Sequence, residues 1–171
     1  MQSVRLKRLV TSALLVALSV IASRFLSINT PILRIGFGWL PVLLAGMLHG
    51  PGWGFVVGAL ADFIGAMLFP FGAYFPGFTL SAGLSGAIAP ILLGRNRWRS
   101  PYWRMFAAIA VSEFTTSVVL NTYWLTIITG KAAMVLLPVR ALNAAVMVPI
   151  MTSLLYAFRQ AALRIIPRSS D

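Results

Sequence analysis

Residues 105–129 read MFAAIAVSEFTTSVVLNTYWLTIIT, an apolar run of 25 positions in which Glu113 is the one charged side chain. A helix needs about 20 mainly apolar residues to cross the hydrocarbon core of a bilayer. This run exceeds that length, so it predicts a membrane-spanning helix. The rest of the chain is then expected to be helical as well, because helices satisfy their own backbone hydrogen bonds within lipid.

Five more apolar runs flank residues 105–129, separated by the Pro, Gly and basic residues that end helices. The six predicted spans are 6–26, 36–48, 52–69, 78–93, 105–129 and 136–165. Pro51 should start the third span, and Pro149 should kink the sixth. The first span is too long for the apolar core of a signal peptide, so we expect it to be retained. The prediction is an all-α integral membrane bundle of six transmembrane helices in one domain, residues 1–171.

The composition agrees with a membrane protein and argues against catalysis. Hydrophobic residues make up 59% of the chain and charged residues 10%, against about half and about a quarter in soluble domains. The chain has no cysteine and one histidine, so it offers no disulfide, thiol nucleophile or cysteine-based zinc site. It also lacks the Walker A sequence that binds ATP. We expect no enzyme activity, no cofactor, no metal and no nucleic acid partner.

The distribution of basic residues predicts the orientation. With six spans, ten of the 14 Lys and Arg residues fall on the side that holds both termini, and loops rich in these residues stay in the cytoplasm. The four others fall at or near the outer end: Arg24, Arg34, Lys131 and Arg140. Such a group suits an anionic ligand, because arginine binds carboxylates in a bidentate manner. For Arg24, snorkelling to the lipid head groups is an equally open explanation.

Two acidic residues, Asp62 and Glu113, lie inside predicted spans. A charge at this depth costs about 2.5–3.5 kcal/mol on insertion scales, so each is a candidate functional group. The alternative is that each pairs with an arginine or a backbone group and holds the bundle together. Both explanations stay open for Asp62, and the structural one is favoured for Glu113.

Aromatic residues gather at the outer end. An uncharged loop framed by Gly and Pro carries Phe71, Tyr74, Phe75 and Phe78. Aromatic side chains stack on flat rings, while a few polar groups fix the orientation of a ligand. The fifth span adds Asn121, Tyr123 and Trp124. An interfacial aromatic belt is the alternative for the last two residues.

Small residues recur at four-residue spacing in two spans. Gly50, Gly54 and Gly58 lie in or beside the third span, and Ala13 and Ala17 lie in the first. This spacing places small residues on one helix face and lets helix backbones approach closely. Ordinary packing within the bundle is the alternative to a role in binding a partner.

Seven short motifs are spread along the chain. They are LRIGFGWLP at 33–41, GMLHGPGWG at 46–54, AD at 61–62, FPFGAYFPGFTL at 69–80, NTYWL at 121–125, GK at 130–131 and LPVR at 137–140. Together they resemble the folate-specific FolT branch of the S components, the substrate-binding subunits of energy-coupling factor (ECF) transporters. The resemblance covers about residues 6–166, and the YFPGFT run is its most specific element.

The resemblance implies a subunit of the bacterial plasma membrane that captures folate outside the cell. It would associate with a shared transmembrane coupling subunit and two cytoplasmic ATPases, and tipping of the whole subunit would deliver the vitamin. Aromatic residues would stack on the rings of folate, arginines would bind its carboxylates, and Asp62 or Asn121 would bind the pterin edge. The implied substrate-binding residues are Arg24, Arg34, Asp62, Tyr74, Phe75, Phe78, Thr79, Asn121, Trp124 and Arg140. Ala13 and Ala17 match the Ala-x-x-x-Ala docking motif of the family.

Three alternatives stay open. The same family also suggests another cargo, such as a queuosine precursor or pantothenate, whereas the outer basic residues argue against cationic thiamine. A structural membrane protein without a ligand would leave the aromatic loop, Arg34 and Arg140 unexplained. A membrane enzyme would need a catalytic constellation that the sequence does not contain.

Overall fold

The computed structural model describes residues 2–25, 27–29, 34–70, 74–130 and 133–165. The helices are α1 (Gln2–Phe25), α2 (Trp39–His49), α3 (Pro51–Leu68), α4 (Pro76–Leu93), α5 (Tyr102–Glu113), α6 (Asn121–Thr129) and α7 (Ala133–Ile165). A π-helical segment, Phe114–Leu120, joins α5 to α6. Within the described chain, five helical stretches are long and apolar enough to cross a membrane, and α2 is a shorter apolar helix. The predicted six-helix all-α bundle is thereby confirmed, while the side on which the termini lie stays a prediction.

Proline and glycine set the helix ends, as their chemistry requires. Pro51 and Pro76 occupy the first positions of α3 and α4, where a missing N–H is no loss. Gly50, Gly94 and Gly130 bound α3, α4 and α6 with φ angles of 109°, 67° and 65°. Residues with side chains rarely adopt such angles, so glycine is needed at these turns.

Two local features differ from the predicted spans. Ile28–Asn29 and Arg34–Ile35 pair as antiparallel two-residue strands between α1 and α2, and strands this short leave no alternating pattern to detect. The predicted span 105–129 begins earlier, at Tyr102, and changes to π-helix after Glu113. Helix α7 continues through Pro138 and Pro149. The predicted end of the first span, Leu26, lies outside the described residues.

Glycines form a close helix contact between α3 and α4. A Cβ atom on Gly54 would meet the carbonyl oxygen of Gly86, and one on Gly86 would meet that of Gly54. A Cβ on Gly58 would meet the carbonyl oxygen of Ala82. The close approach predicted for Gly54 and Gly58 is confirmed as packing within the bundle. Gly50 instead forms the turn before α3.

Two apolar clusters fill the bundle. One joins α1, α2 and α3 around Val42, Ala45 and Val57. The other joins α2, α4, α5 and α7, and Met47 and Leu155 are fully buried within it. Because α2 contributes to both clusters, it lies between the two halves of the bundle.

The turn between α4 and α5, residues 94–101, is fastened to both sides of the bundle. The Trp98 indole Nε1 donates to the Met47 carbonyl oxygen of α2 at 2.8 Å. Arg159 of α7 donates to the Ser100 carbonyl oxygen at 2.7 Å. This turn, which carries Arg95, Arg97 and Arg99, is therefore held at two points.

Candidate functional site

An aromatic cluster, Phe75, Phe78, Tyr123 and Trp124, lies where the first turn of α4 meets α6. The ring centroids of Phe75 and Trp124 are 5.5 Å apart, and those of Phe75 and Phe78 are 6.1 Å apart. Tyr123 and Trp124 are separated by 5.0 Å. These distances are typical of interacting aromatic pairs. The cluster presents several ring surfaces at one end of the bundle, as a site for a flat ligand requires.

Two residues of α4 fix the position of Trp124. Its indole Nε1 donates to the Ser81 hydroxyl oxygen at 3.2 Å. A Cβ on Gly77 would meet both the Trp124 and Phe75 rings. Glycine at this position therefore lets the indole lie against the helix backbone, and the hydrogen bond sets its rotation.

A polar chain of Tyr74, Thr79 and Asp62 lies beside the aromatic cluster. The Thr79 hydroxyl donates to Asp62 Oδ2 at 2.8 Å and lies 3.1 Å from the Tyr74 hydroxyl. A threonine hydroxyl has one hydrogen, so the Tyr74 hydroxyl supplies the proton of the second bond when the first is made. Phe78 of the aromatic cluster and Thr79 of this chain are consecutive residues of α4, so both groups lie at the start of that helix.

Asn121 brings an acceptor to the start of α6. Its Oδ1 atom is buried and has no hydrogen-bond partner within the described chain. Buried polar atoms nearly always have a partner, and a carbonyl oxygen needs a donor. Asn121 therefore fits a contact with an N–H or O–H group of a ligand.

The predicted arginines lie in three different places. The Arg24 guanidinium packs against Gly65, where a Cβ would be 3.2 Å from its Nε. Arg140 of α7 donates to the Ser117 carbonyl oxygen at 3.0 Å and interacts electrostatically with Glu113. Arg34 takes part in the hairpin through its backbone, and its side chain, like Phe71 and Lys131, lies outside the described part. Where the structure describes their side chains, Arg24 and Arg140 therefore have different neighbours.

Metal binding finds no support in the described residues, which contain no group of three His, Asp or Glu side chains able to hold an ion. The two described acids are Asp62, bonded to Thr79, and Glu113, which accepts a hydrogen bond from the Ser117 side chain. The chemistry on offer is ring stacking and hydrogen bonding. This is the chemistry of a binding site.

Comparison with known proteins decides the family. The family model described as "ECF transporter, substrate-specific component" matches residues 7–159. The chain belongs to this family. The resemblance predicted from the motifs is thereby confirmed, and the protein is a transporter subunit of a membrane.

Relatives and solved structures agree with this assignment. "Folate transporter FolT" of Clostridium novyi (strain NT) is 42% identical over 144 residues, which cover 84% of this chain and 83% of that protein. A structure described as "Crystal structure of FolT bound with folic acid" matches with a TM-score of 0.76 and 31% identity, covering 88% of this chain and 89% of the other. The S component of a bacterial ECF transporter matches in fold alone, with a TM-score of 0.67, 20% identity and coverage of 94% and 98%.

In this S component, six of the predicted site residues fall into two contact groups. One joins Phe75 with Phe78 and Trp124, and the other joins Thr79 with Asp62 and Tyr74. Asn121 lies one turn before Trp124 on α6. Their roles as ligand contacts stay predictions.

One neighbour of the cluster, Ser81, was missed from the sequence. It lies one helical turn after Gly77, on the same face of α4, and that spacing could have indicated it. A serine within an apolar helix is too common to attract attention alone.

The predicted docking residues lie on the face of α1 that points away from the bundle. Ala13 and Ala17 are exposed, whereas Ser12 and Val16, one position earlier in each case, are buried against the bundle. Two small residues one turn apart leave a shallow groove on this face. The face is therefore free to contact a partner helix.

Proposed function

We propose that this protein is the folate-binding S component of an ECF-type importer in a bacterial plasma membrane. It takes up folate on the side opposite its termini and works with a transmembrane coupling subunit and two cytoplasmic ATPases. Tipping of the subunit in the bilayer then carries the vitamin inward. One observation carries the proposal: the 42% identity to a protein named Folate transporter FolT extends over 84% of the chain.

The site geometry supports a ligand with flat rings and polar edges. Folate has a pterin, an aryl ring and a glutamate tail. The aromatic cluster offers ring surfaces about 5–6 Å apart. Asp62 and the unpartnered Asn121 oxygen offer acceptors for the pterin N–H groups. Arg24, at the end of α1, offers a cation for a carboxylate of the tail.

A tryptophan-fluorescence titration of the detergent-purified protein tests the ligand. The chain has five tryptophans, and Trp124 lies in the aromatic cluster, so a bound pterin should quench part of the emission. We expect saturable quenching by folic acid at sub-micromolar concentration and none by thiamine. Folded protein whose fluorescence does not change with folic acid would contradict the proposal. Saturation by a queuosine precursor or pantothenate instead would keep the family and change the cargo.

The contact with the coupling subunit is proposed to use Ala13 and Ala17. Replacing both by tryptophan fills the groove on α1, so we expect the variant to bind folate normally and to lose co-purification with the coupling subunit. Val111→Trp is the matched control, because Val111 is also exposed, on α5. Equal co-purification of the double variant and the control would exclude this face of α1 as the docking surface.

A further inference from the structure

Glu113 is a charged residue within a span, and the binding site proposed above gives it no role. It is the last residue of α5, directly before the π-helical segment. The Ser117 side chain hydrogen-bonds its carboxylate, and Arg140 interacts with it electrostatically. A carboxylate accepts at both oxygens, with about four lone-pair positions. Glu113 therefore keeps acceptor capacity beyond the bond from Ser117.

A cavity of about 40 Å³ adjoins Glu113 in the interior of the bundle. Its lining includes Trp39, Leu43, Ser85, Ser112, Glu113 and Met151. About 10–15 Å³ of such space is enough for one water-sized group. The cavity therefore suits a small polar substituent of a ligand, and it is too small for a fused ring.

The polar groups around the cavity are complementary. The Trp39 indole Nε1 is buried and has no hydrogen-bond partner in the described chain. The Ser112 hydroxyl is already in use, since it donates to the Ser85 carbonyl oxygen at 3.3 Å. An indole N–H can only donate, and a carboxylate can only accept. The cavity thus offers one unused donor and one carboxylate acceptor among apolar neighbours.

The cavity lies one helical turn from the aromatic cluster. Ser81, which holds Trp124, and Ser85, which lines the cavity, are four residues apart on α4 and share a face. On the facing helix, Asn121 and Glu113 lie on either side of the π-helical segment. π-helical turns inside α-helices are frequent at functional sites. A ring that stacks on Trp124 can therefore direct one edge toward the cavity.

We propose that this cavity receives the exocyclic amino group of the ligand's heterocycle. Glu113 accepts hydrogen bonds from that group, and Trp39 donates to an adjacent ring acceptor. This inference rests on the proposed function, because the pterin of folate carries an amino group at C2 between two ring nitrogens. An amino group is close to water in size, and a carboxylate binds it by charge-assisted hydrogen bonds. Glu113 is then the acid that binds the exocyclic amino group, and Asp62 remains an acceptor for other polar groups of the ligand.

The test compares folic acid with its 2-desamino-2-methyl analogue by equilibrium dialysis against the detergent-purified protein. A methyl group has nearly the volume of an amino group but no N–H donor. We expect the natural protein to prefer folic acid by about tenfold or more, as for a hydrogen bond to a charged group. Glu113→Gln should remove most of that preference while it binds the methyl analogue as well as the natural protein does.

Asp62→Asn is the matched control, since it neutralises the other acid within the spans. It should lower the affinity for folic acid and for the methyl analogue by the same factor, so the preference between them stays unchanged. A full preference in Glu113→Gln, or its loss in Asp62→Asn alone, would overturn the assignment to Glu113 and leave the proposed function standing. Natural protein that binds neither ligand would overturn the proposed function, and this inference with it.

A second variant covers the case in which Glu113→Gln does not fold. Trp39→Phe keeps an aromatic side chain and removes the unused N–H donor. It should lower the affinity for folic acid and for the methyl analogue alike, because both ligands carry the ring acceptor. Unchanged affinity for both ligands would remove Trp39 from the site and overturn the proposed arrangement.

Discussion

At the scale of single residues, Thr79 is where the polar and aromatic parts of the candidate site meet. Its hydroxyl lies between Asp62 and Tyr74, and its neighbour Phe78 belongs to the aromatic cluster. A half-buried carboxylate within a span needs donors, because lipid supplies none. The threonine hydroxyl meets part of that need and holds the carboxylate in one orientation.

Thr79→Val keeps the shape of the side chain and removes its hydroxyl. We expect the free energy of unfolding to fall by about 1–3 kcal/mol, because Asp62 loses a donor, and folate affinity to fall with it. The measurements are the thermal midpoint in detergent and the fluorescence titration. Thr126→Val is the control, since that hydroxyl donates to the Tyr123 carbonyl oxygen of its own helix at 2.7 Å. Equal midpoints for the two variants would show that the Asp62 contact adds no stability.

The types of residue at the site could be predicted from the sequence, and their partners could not. Asp62, Thr79 and Trp124 were all predicted, but the bond from Thr79 joins residues 17 apart and that from Trp124 joins residues 43 apart. Such pairings depend on how the helices pack, which no local pattern reveals. For the same reason, the sequence could not show that Glu113 is the acid that interacts with Arg140.

At the scale of helices, the close contact between α3 and α4 depends on glycine. Gly54 and Gly86 lie so close that neither position has room for a Cβ atom. Apolar side chains provide little net attraction between helices in lipid, so close backbone packing supplies the stability. This contact also positions the site, because Asp62 and Thr79 lie on these two helices.

Gly54→Ala should push α3 away from α4. We expect a loss of about 1–3 kcal/mol, as for other overpacked positions, together with weaker folate binding, since Asp62 moves relative to Thr79. Gly52→Ala is the control, because no atom lies within 4 Å of the Cβ it would gain. Thermal unfolding of both variants in detergent gives the comparison. A Gly54→Ala variant as stable as Gly52→Ala would mean that the helices have more freedom than the structure indicates.

Helix positions could be predicted where the chain contains a breaker. Pro51 begins a helix and Gly130 ends one, as predicted, whereas the fourth span, predicted from residue 78, begins at Pro76. The π-helical segment Phe114–Leu120 has no proline or glycine, so it was predicted as ordinary α-helix. The hairpin of Ile28–Asn29 with Arg34–Ile35 was missed because two-residue strands have no period.

At the scale of the whole molecule, the charges are distributed unevenly around an apolar bundle. Ten of the 14 basic residues belong to the side predicted to hold both termini. The candidate ligand site lies toward the opposite side, near the last turns of α3 and the first turn of α4. This separation agrees with a subunit that binds its ligand on one side of the membrane and releases it on the other. It also makes the orientation directly testable.

Single cysteines can report the orientation, because the natural chain has none. Thr129 and Asn96 are both exposed, at the end of α6 and in the turn after α4. We expect a membrane-impermeant maleimide to label Thr129→Cys on intact cells and Asn96→Cys only after permeabilisation. The opposite pattern would place the termini outside and contradict the prediction from basic residues.

The two hydrogen bonds that fasten the α4–α5 turn have a mechanical consequence. Trp98 bonds the turn to α2, and Arg159 bonds its Ser100 to α7. We therefore expect the arginines of the turn, Arg95, Arg97 and Arg99, to move together with the bundle. A force on the turn should then be passed to the rest of the bundle, because the turn is bonded to two of its helices. A coupling subunit that contacts these arginines would thus be able to reorient the entire molecule. Slow amide hydrogen exchange at Arg97–Ser100 would show that the turn is rigid.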